Sequence, residues 1–215
     1  RGRRQKVLED IGLQIAPGEF FVIVGPSGCG KTTFLRILQG LAKPTGGHAS
    51  IGGRIVTGPG TNRGFVFQSD ALYPWRTVAR NVVFGLELQG VKKSEAAARA
   101  QAMIELVGLH GFESHYPHEL SGGMRQRVSI ARAFAVRPEI LLCDEPFSAL
   151  DEVTGNALRS ELVELLRETR ATSIFITRSI EEALRLGSRV LEFARPARIA
   201  YEASLDPSMT HATRE

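Results

Sequence analysis

Gly25-Pro26-Ser27-Gly28-Cys29-Gly30-Lys31-Thr32 sets three glycines and a proline in six positions, then a lysine and a hydroxyl. No other stretch limits the fold of this chain so tightly. It follows the apolar run Phe20–Val24 and opens the helical pattern Thr33–Leu38, so it joins a buried strand to the start of a helix. Glycines let the backbone curl until several N–H groups converge, and the helix N-terminus adds its dipole; the result is a cradle for phosphate oxygens. Lys31 is then expected to reach the β- and γ-phosphates of a nucleoside triphosphate, with the Thr32 hydroxyl on Mg²⁺. The nucleotide-contacting stretch is expected to be Gly25, Pro26, Ser27, Gly28, Cys29, Gly30, Lys31, Thr32 and Thr33. The alternative is a plain glycine-rich turn before a helix, which the strand–loop–helix context disfavours.

Strand patterns at Phe20–Val24, Gly64–Phe67, Ile140–Cys143, Ser173–Thr177 and Arg189–Phe193 alternate with helical patterns at Lys31–Gly40, Ser94–Val107, Gly122–Val136, Glu152–Thr169 and Glu181–Leu186. That rhythm predicts an α/β fold with a mixed, mainly parallel sheet, and with the phosphate loop in place it resembles a P-loop NTPase (RecA-like) core. Arg189–Phe193 is expected to form a hairpin with Arg198–Tyr201. In Glu152–Thr169 the leucines Leu158, Leu162, Leu165 and Leu166 recur at helical spacing, with Asp151 placed as the N-cap. Residues 76–137 are helix-rich and break the strand rhythm. They are expected to form a helical subdomain inserted into a core made of 1–75 and 138–205, with 206–215 a frayed tail.

Ile140-Leu141-Leu142-Cys143 runs into Asp144-Glu145, two carboxylates at the carboxyl edge of a sheet, where α/β folds bind ligands. Strand alternation should point them to different sides. Asp144 is expected on Mg²⁺, and Glu145 as the general base that polarises the attacking water. Alone, such a pair is more often a solvated strand end; behind a phosphate loop the catalytic reading is favoured. Leu120-Ser121-Gly122-Gly123-Met124-Arg125-Gln126-Arg127 adds a second anion site: Ser121 as an N-cap, with the amides of Gly122 and Gly123 bare at a helix start. An ordinary phosphate-loop enzyme has no need of it.

With these elements quoted, the whole chain resembles the ABC transporter ATPases. The family order is present: the phosphate loop, Gln68 after a strand, Leu120-Ser121-Gly122-Gly123, Asp144-Glu145 and Ser148-Ala149-Leu150-Asp151. The resemblance implies a head-to-tail dimer in which each ATP lies between one subunit's loop and the Ser121, Gly122, Gly123 and Gln126 segment of the other. It implies Gln68 as a sensor of Mg²⁺ or water, and Asp151 as a link between the two sites. Gly58-Pro59-Gly60, Arg63–Gln68, Leu72–Val78 and Asn81-Val82 narrow the resemblance to the nitrate/sulfonate/taurine importers. Leu72, Tyr73 and Trp75 then either pack between subdomains or form a socket for a helix of the membrane permease subunit, or both. The permease and a solute-binding protein are the further partners implied. The place implied is the cytoplasmic face of the inner membrane.

Two departures stand out. After Ser173–Thr177 the family carries a histidine; here Arg178 fills that slot, and none of the five histidines can replace it by register. Arginine can donate to a γ-phosphate but cannot accept a proton or hydrogen bond, so slowed hydrolysis is expected, against the alternative of a tolerated variant. The family also stacks adenine on an aromatic residue ahead of the loop, and no aromatic residue precedes Phe20. That residue is expected in sequence upstream of Arg1, since the chain opens without methionine.

Composition serves mainly to exclude. The strongest apolar run, Phe20–Val24, falls far short of the roughly 18 residues of a membrane span, and no signal peptide is visible. Cys29 and Cys143 have no metal-ligand spacing, which fits a reducing compartment. A formal charge of +4 owes something to Arg1, Arg3, Arg4 and Lys6, read as a solvated end in preference to a nucleic-acid or lipid site. No aromatic–basic interleaving suggests a single-strand binder, and no nucleic-acid partner is expected. Two competing functions stay open: a non-transport ABC ATPase, and a nucleotide-gated regulatory or assembly module with negligible turnover.

Overall fold

The computed structural model describes residues 6–205. The basic end at Arg1, Arg3 and Arg4 and the tail 206–215 lie outside the described residues. Strand β1 (Phe20–Val24) leads through the glycine loop into helix α1 (Lys31–Gln39), and a two-residue hairpin follows, β2 (Ser50–Ile51) with β3 (Arg54–Ile55). Strand β4 (Arg63–Val66) precedes three helices, α2 (Val78–Leu88), α3 (Lys93–Leu106) and α4 (Gly122–Ala135), with a single 3₁₀ turn at Pro117–Glu119. The chain returns through β5 (Ile140–Asp144), α5 (Glu152–Thr169), β6 (Thr172–Ile176), α6 (Ile180–Leu186), β7 (Arg189–Phe193) and β8 (Ile199–Ser204).

The main sheet runs β4-β5-β6-β1-β7-β8; every neighbouring pair is parallel except β7 with β8. Alternation along the strands explains why helices cover both faces. Phe21 and Ile23 of β1 join Leu142, Ile174, Leu191 and Phe193 in one cluster with Phe34 and Leu35 of α1. Val22 and Val24 point the other way, into a cluster with Leu141, Phe175 and Leu158, Leu162 and Leu166 of α5. Phe21, Ile23 and Leu142 are fully buried, each contributing about 1.5–3 kcal/mol of transfer free energy.

Helix α2 has no counterpart among the helical patterns read from the sequence. Thr77 caps it, accepting from Arg80 N, and Val78, Val82 and Leu86 bury one face. Gly85 lets Val136 approach: an added Cβ would lie 2.5 Å from Val136 Cγ1. Fully buried Asn81 accepts from Tyr73 N at 2.8 Å and donates to the carbonyls of Tyr73, Arg76 and Thr77, which fixes the preceding loop onto the helix. Leu72 of that loop packs against the core, while Trp75 remains 72% exposed beside Tyr73. No helix among the described residues is long and apolar enough to cross a membrane.

Candidate active site

Five loops leave the carboxyl edge of the parallel strands, and four carry the polar groups singled out in the sequence. After β1, Gly25, Gly28 and Gly30 have φ of 148°, 72° and 115°, a region that favours glycine, so the curl of the loop depends on these residue types. Gly30 also begins α1, which aims the helix N-terminus into the loop. Lys31 is buried, and its Nζ donates to Gly25 O at 2.6 Å and Pro26 O at 3.1 Å, so the ammonium lies inside the cradle. Pro26, Ser27 and Gly28 are exposed, Cys29 is buried beneath them, and Thr32 and Thr33 are half-buried on α1.

Thr32, Gln68 and Asp144 share a cavity of about 250 Å³ with Arg36, Phe65, Phe67 and Ser69. Burial pushes the Asp144 carboxyl up from its ordinary range; the hydrogen bond from Thr32 opposes that shift, and the charge of Glu145 adds to it. A hydroxyl, a carboxylate and an amide oxygen around one cavity are the hard oxygen donors that Mg²⁺ takes, and a buried carboxylate under such a penalty is one that a cation would relieve.

Glu145 does not continue the strand. Its φ is 49° and its amide donates to Ile176 O at 3.0 Å, so the chain turns at this residue and alternation no longer sets its direction. The turn brings the carboxylate between two donors: Arg178 Nε at 2.7 Å on one oxygen and Gln68 Nε2 at 3.3 Å on the other. Gln68 itself stands two residues beyond the end of β4. Arg178 follows β6, and its backbone is steadied from behind. Thr177 donates to the Glu182 carboxylate, Arg159 Nε donates to Glu182 at 2.8 Å, and Ser179 caps α6. Hydrogen bonding to Glu145 and the charge of that carboxylate push the Arg178 guanidinium above its ordinary value. A polar cavity of about 420 Å³ extends from this pair to Asp151 and Arg159.

Ser121 caps α4 by accepting from Met124 N at 3.2 Å, and Ser121 and Gly122 are exposed. Among the described residues no hydrogen bond joins this segment to Gly25–Thr33. Gln126 departs from the expectation of a nucleotide contact. It is 2% exposed, and its Nε2 donates to Phe67 O at 3.3 Å and Pro146 O at 3.0 Å within its own chain. The side chain faces the core on the same helical side as Ile130 and Ala133 and has no free surface to offer.

Motif reading missed several groups that build this site. Arg125 Nε pairs with Asp70 at 2.7 Å, and Arg132 donates to the carbonyls of Asp70 and Ala71, so α4 holds the loop that follows Gln68. Arg195 donates to Ser27 O from the turn between β7 and β8. No local pattern marks these pairs, because each joins residues 55 or more positions apart.

The chain matches the family model described as ABC transporter over residues 8–148. It is 50% identical over 206 residues to an uncharacterized ABC transporter ATP-binding protein of Methanocaldococcus jannaschii, covering 95% of this chain and 77% of that protein. It is 44% identical to the taurine import ATP-binding protein TauB of Pseudomonas aeruginosa (100% of this chain, 82% of that protein). With the aliphatic sulfonates import ATP-binding protein SsuB of Bacillus subtilis it shares 46% identity (92% and 77%). Among solved structures it is similar to a dimeric ATP-binding cassette in a post-hydrolysis state bound to ADP and Pi, with a TM-score of 0.86, 35% identity and coverage of 93% and 91%.

Proposed function

The chain belongs to the ABC transporter family, and from that membership we propose that it is the ATP-hydrolysing subunit of an importer for a small anionic solute: taurine, another sulfonate or nitrate. The observation that carries the reading is the convergence of the Gly25–Thr33 loop, Gln68, Asp144, Glu145 and Arg178 at one sheet edge, with a second glycine loop on α4 turned outward. Relatives named for taurine and for aliphatic sulfonates support the solute class.

In this reading Gly25–Thr33 and Lys31 hold the triphosphate, and Glu145 takes the proton of the attacking water. Gln68 orients the base, and Ser121, Gly122 and Gly123 of a second copy close over the γ-phosphate. Thr32, Asp144 and Gln68 would hold Mg²⁺, whose chemistry when bound is to neutralise phosphate charge. Residues 76–137 serve as a helical subdomain between the two parts of the core, and Leu72, Tyr73 and exposed Trp75 offer a surface to the membrane permease. A separate solute-binding protein captures the cargo, and the ATPase sits peripherally at the cytoplasmic face of the inner membrane. Arg178 lowers turnover chiefly because a guanidinium cannot accept a proton, and in lesser part because it pairs with Glu145.

One observation favours a second reading. Both oxygens of Glu145 already accept hydrogen bonds, which suits a nucleotide-gated assembly module with negligible turnover. Reconstitution with permease subunits and binding protein in liposomes decides between them. The importer reading expects phosphate release coupled to uptake of taurine, an alkanesulfonate or nitrate, and loss of both in Lys31→Ala. Absence of MgATP-driven uptake for all three solutes would refute it. Nucleotide-driven pairing that survives both Lys31→Ala and Ser121→Arg would refute the closed dimer.

A further inference from the structure

We infer that two adjoining cavities at the amino edge of the sheet take an amphiphilic anion, a short alkyl chain with one sulfonate or carboxylate head. Gln68, Asp144, Glu145 and Arg178 stand at the carboxyl ends of β4, β5 and β6, whereas these cavities open at the starts of the same strands. The site is therefore separate from the phosphate loop and stands whether or not the chain hydrolyses ATP.

The first cavity, of about 300 Å³, lies between α3, the end of α4 and α5. Met103, Phe134, Leu141, Leu165 and Leu166 make its walls apolar, and Phe134, Leu141 and Leu166 are buried. Ala98, Ala102 and Ala135 reach into it with no more than a methyl group. Its cation Arg99 is paired with Glu95 at 2.5 Å. The second cavity, of about 1150 Å³, has a different character: Arg54, Arg63, Arg137 and Arg170 line it against a single carboxylate, Glu139, among the described residues. Arg137, Pro138, Thr169 and Ala171 line both cavities, so the apolar recess opens into the cationic one.

Arg137 and Arg170 follow α4 and α5 with φ of 46° and 51°, where a helix usually ends in glycine. The carbonyls at these helix ends find donors without the guanidinium groups. Arg137 N donates to Phe134 O at 2.9 Å, Gln89 Nε2 to Val136 O at 3.3 Å and Thr169 Oγ1 to Leu165 O at 2.9 Å. Both arginines are exposed, and among the described residues neither guanidinium makes an ion pair or a hydrogen bond. They enter neighbouring strands, since Ile140 stands opposite Thr172. Two unpaired planar cations at the mouth of an apolar recess match a ligand with an apolar tail and an oxyanion head. A bare oxyanion would leave the recess empty, and a neutral alkane would leave the arginines unmatched.

Calorimetric titration of the full chain, with MgADP saturating the phosphate loop, tests the assignment. Butane-, hexane- and octanesulfonate should bind saturably, with Kd falling about two- to fourfold per added methylene. Octanoate should bind comparably to octanesulfonate, and neutral 1-octanol about fivefold more weakly or worse. Arg137→Gly and Arg170→Gly in one chain, a pair that suits both φ values, should raise the Kd of both anions about 3- to 20-fold and move 1-octanol by less than about twofold. Ala102→Phe, filling the recess from the exposed side of α3, should weaken all three eight-carbon ligands by about tenfold or more. Absence of saturable binding, a Kd indifferent to chain length, or displacement of MgADP by the sulfonates would overturn the inference. So would equal losses for 1-octanol and the anions in the double arginine variant.

Discussion

Arg178→His is expected to speed steady-state ATP hydrolysis, and the structure separates two contributions. The first is release of the base. Arg178 Nε sits 2.7 Å from Glu145, but the arginine side chain is 58% exposed against 11% for the glutamate. Solvent screens such a pair, so the hold on Glu145 shifts an equilibrium by about fivefold at most. The second is proton handling: guanidinium only donates, whereas imidazole both donates and accepts. Loss of one aligned polar group at a phosphoryl-transfer site costs on the order of 10²–10³ in rate, so the second contribution outweighs the first. Arg178→Ala, which frees Glu145 but supplies no group, should therefore gain about fivefold at most, and Arg178→His should gain on the order of 10². Alkaline pH offers no shortcut. The Arg178 pKa is raised by its partner, so the pair persists below that value and is lost only above the ordinary arginine range. Salt does offer one, and wild-type turnover should rise a few-fold between low and high ionic strength. The assay is phosphate release at saturating MgATP, with Glu145→Gln as the inactive baseline in each background. A histidine chain no faster than wild type refutes the reasoning. If Arg178→Ala matches it, proton handling is excluded and only the ion pair remains.

Gln126→Ala should destabilise the chain by about 1–3 kcal/mol in urea unfolding, because the carbonyls of Phe67 and Pro146 lose a buried donor; a change under about 0.5 kcal/mol would show that these bonds matter little. Gly40→Ala should lower Tm by about 4 °C or more. Gly40 has φ 82° and a Cβ there would sit 2.1 Å from Gly58 O, whereas Gly46→Ala, with nothing within 4 Å, should leave Tm nearly unchanged. Bonds from Gln101 and Gly111 N hold the Glu113 carboxyl down to about 2. A depressed folded pKa stabilises above the unfolded value and loses that stabilisation as pH falls. The stability difference between wild type and Glu113→Gln should accordingly be constant above about pH 5, shrink as pH falls and be reduced to a small fraction at about pH 2, where the folded carboxyl is itself half protonated. A difference undiminished at about pH 2 would assign it to packing.

The parts of the site that were legible in the sequence are those made by neighbours in the chain. The Gly25–Thr32 loop is contiguous and carries its own strand and helix on either side. The pairing of Arg178 with Glu145 was not legible, because it depends on sheet register: Asp144 stands opposite Ile176, so the residues just beyond each strand meet. Helix α2 was obscured by Gly85 and the Val82-Val83 pair, both poor helix formers. Its burial against α3 and α4 overrides that propensity, and Val78, Val82 and Leu86 at i, i+4 and i+8 were the cue. The β2–β3 hairpin had a signal too, Gly52-Gly53 between Ile51 and Arg54. Gln126 was misread by adjacency to the second glycine loop, although helical spacing already grouped it with Ile130 and Ala133.

Helix α4 behaves as a single bolt through the molecule. Its first turn presents Ser121, its second turn clamps the loops after β4 and β5 through Gln126, and Arg125 and Arg132 grip the stretch just past Gln68. A pull on the outward loop cannot tilt this rod without dragging Gln68 and the Asp144–Pro146 corner with it. If two copies pair as proposed, a partner leaning on one copy's Ser121 would shift the spacing of Gln68 and Glu145 in that same copy, and the two sites of the pair would keep time through the rods.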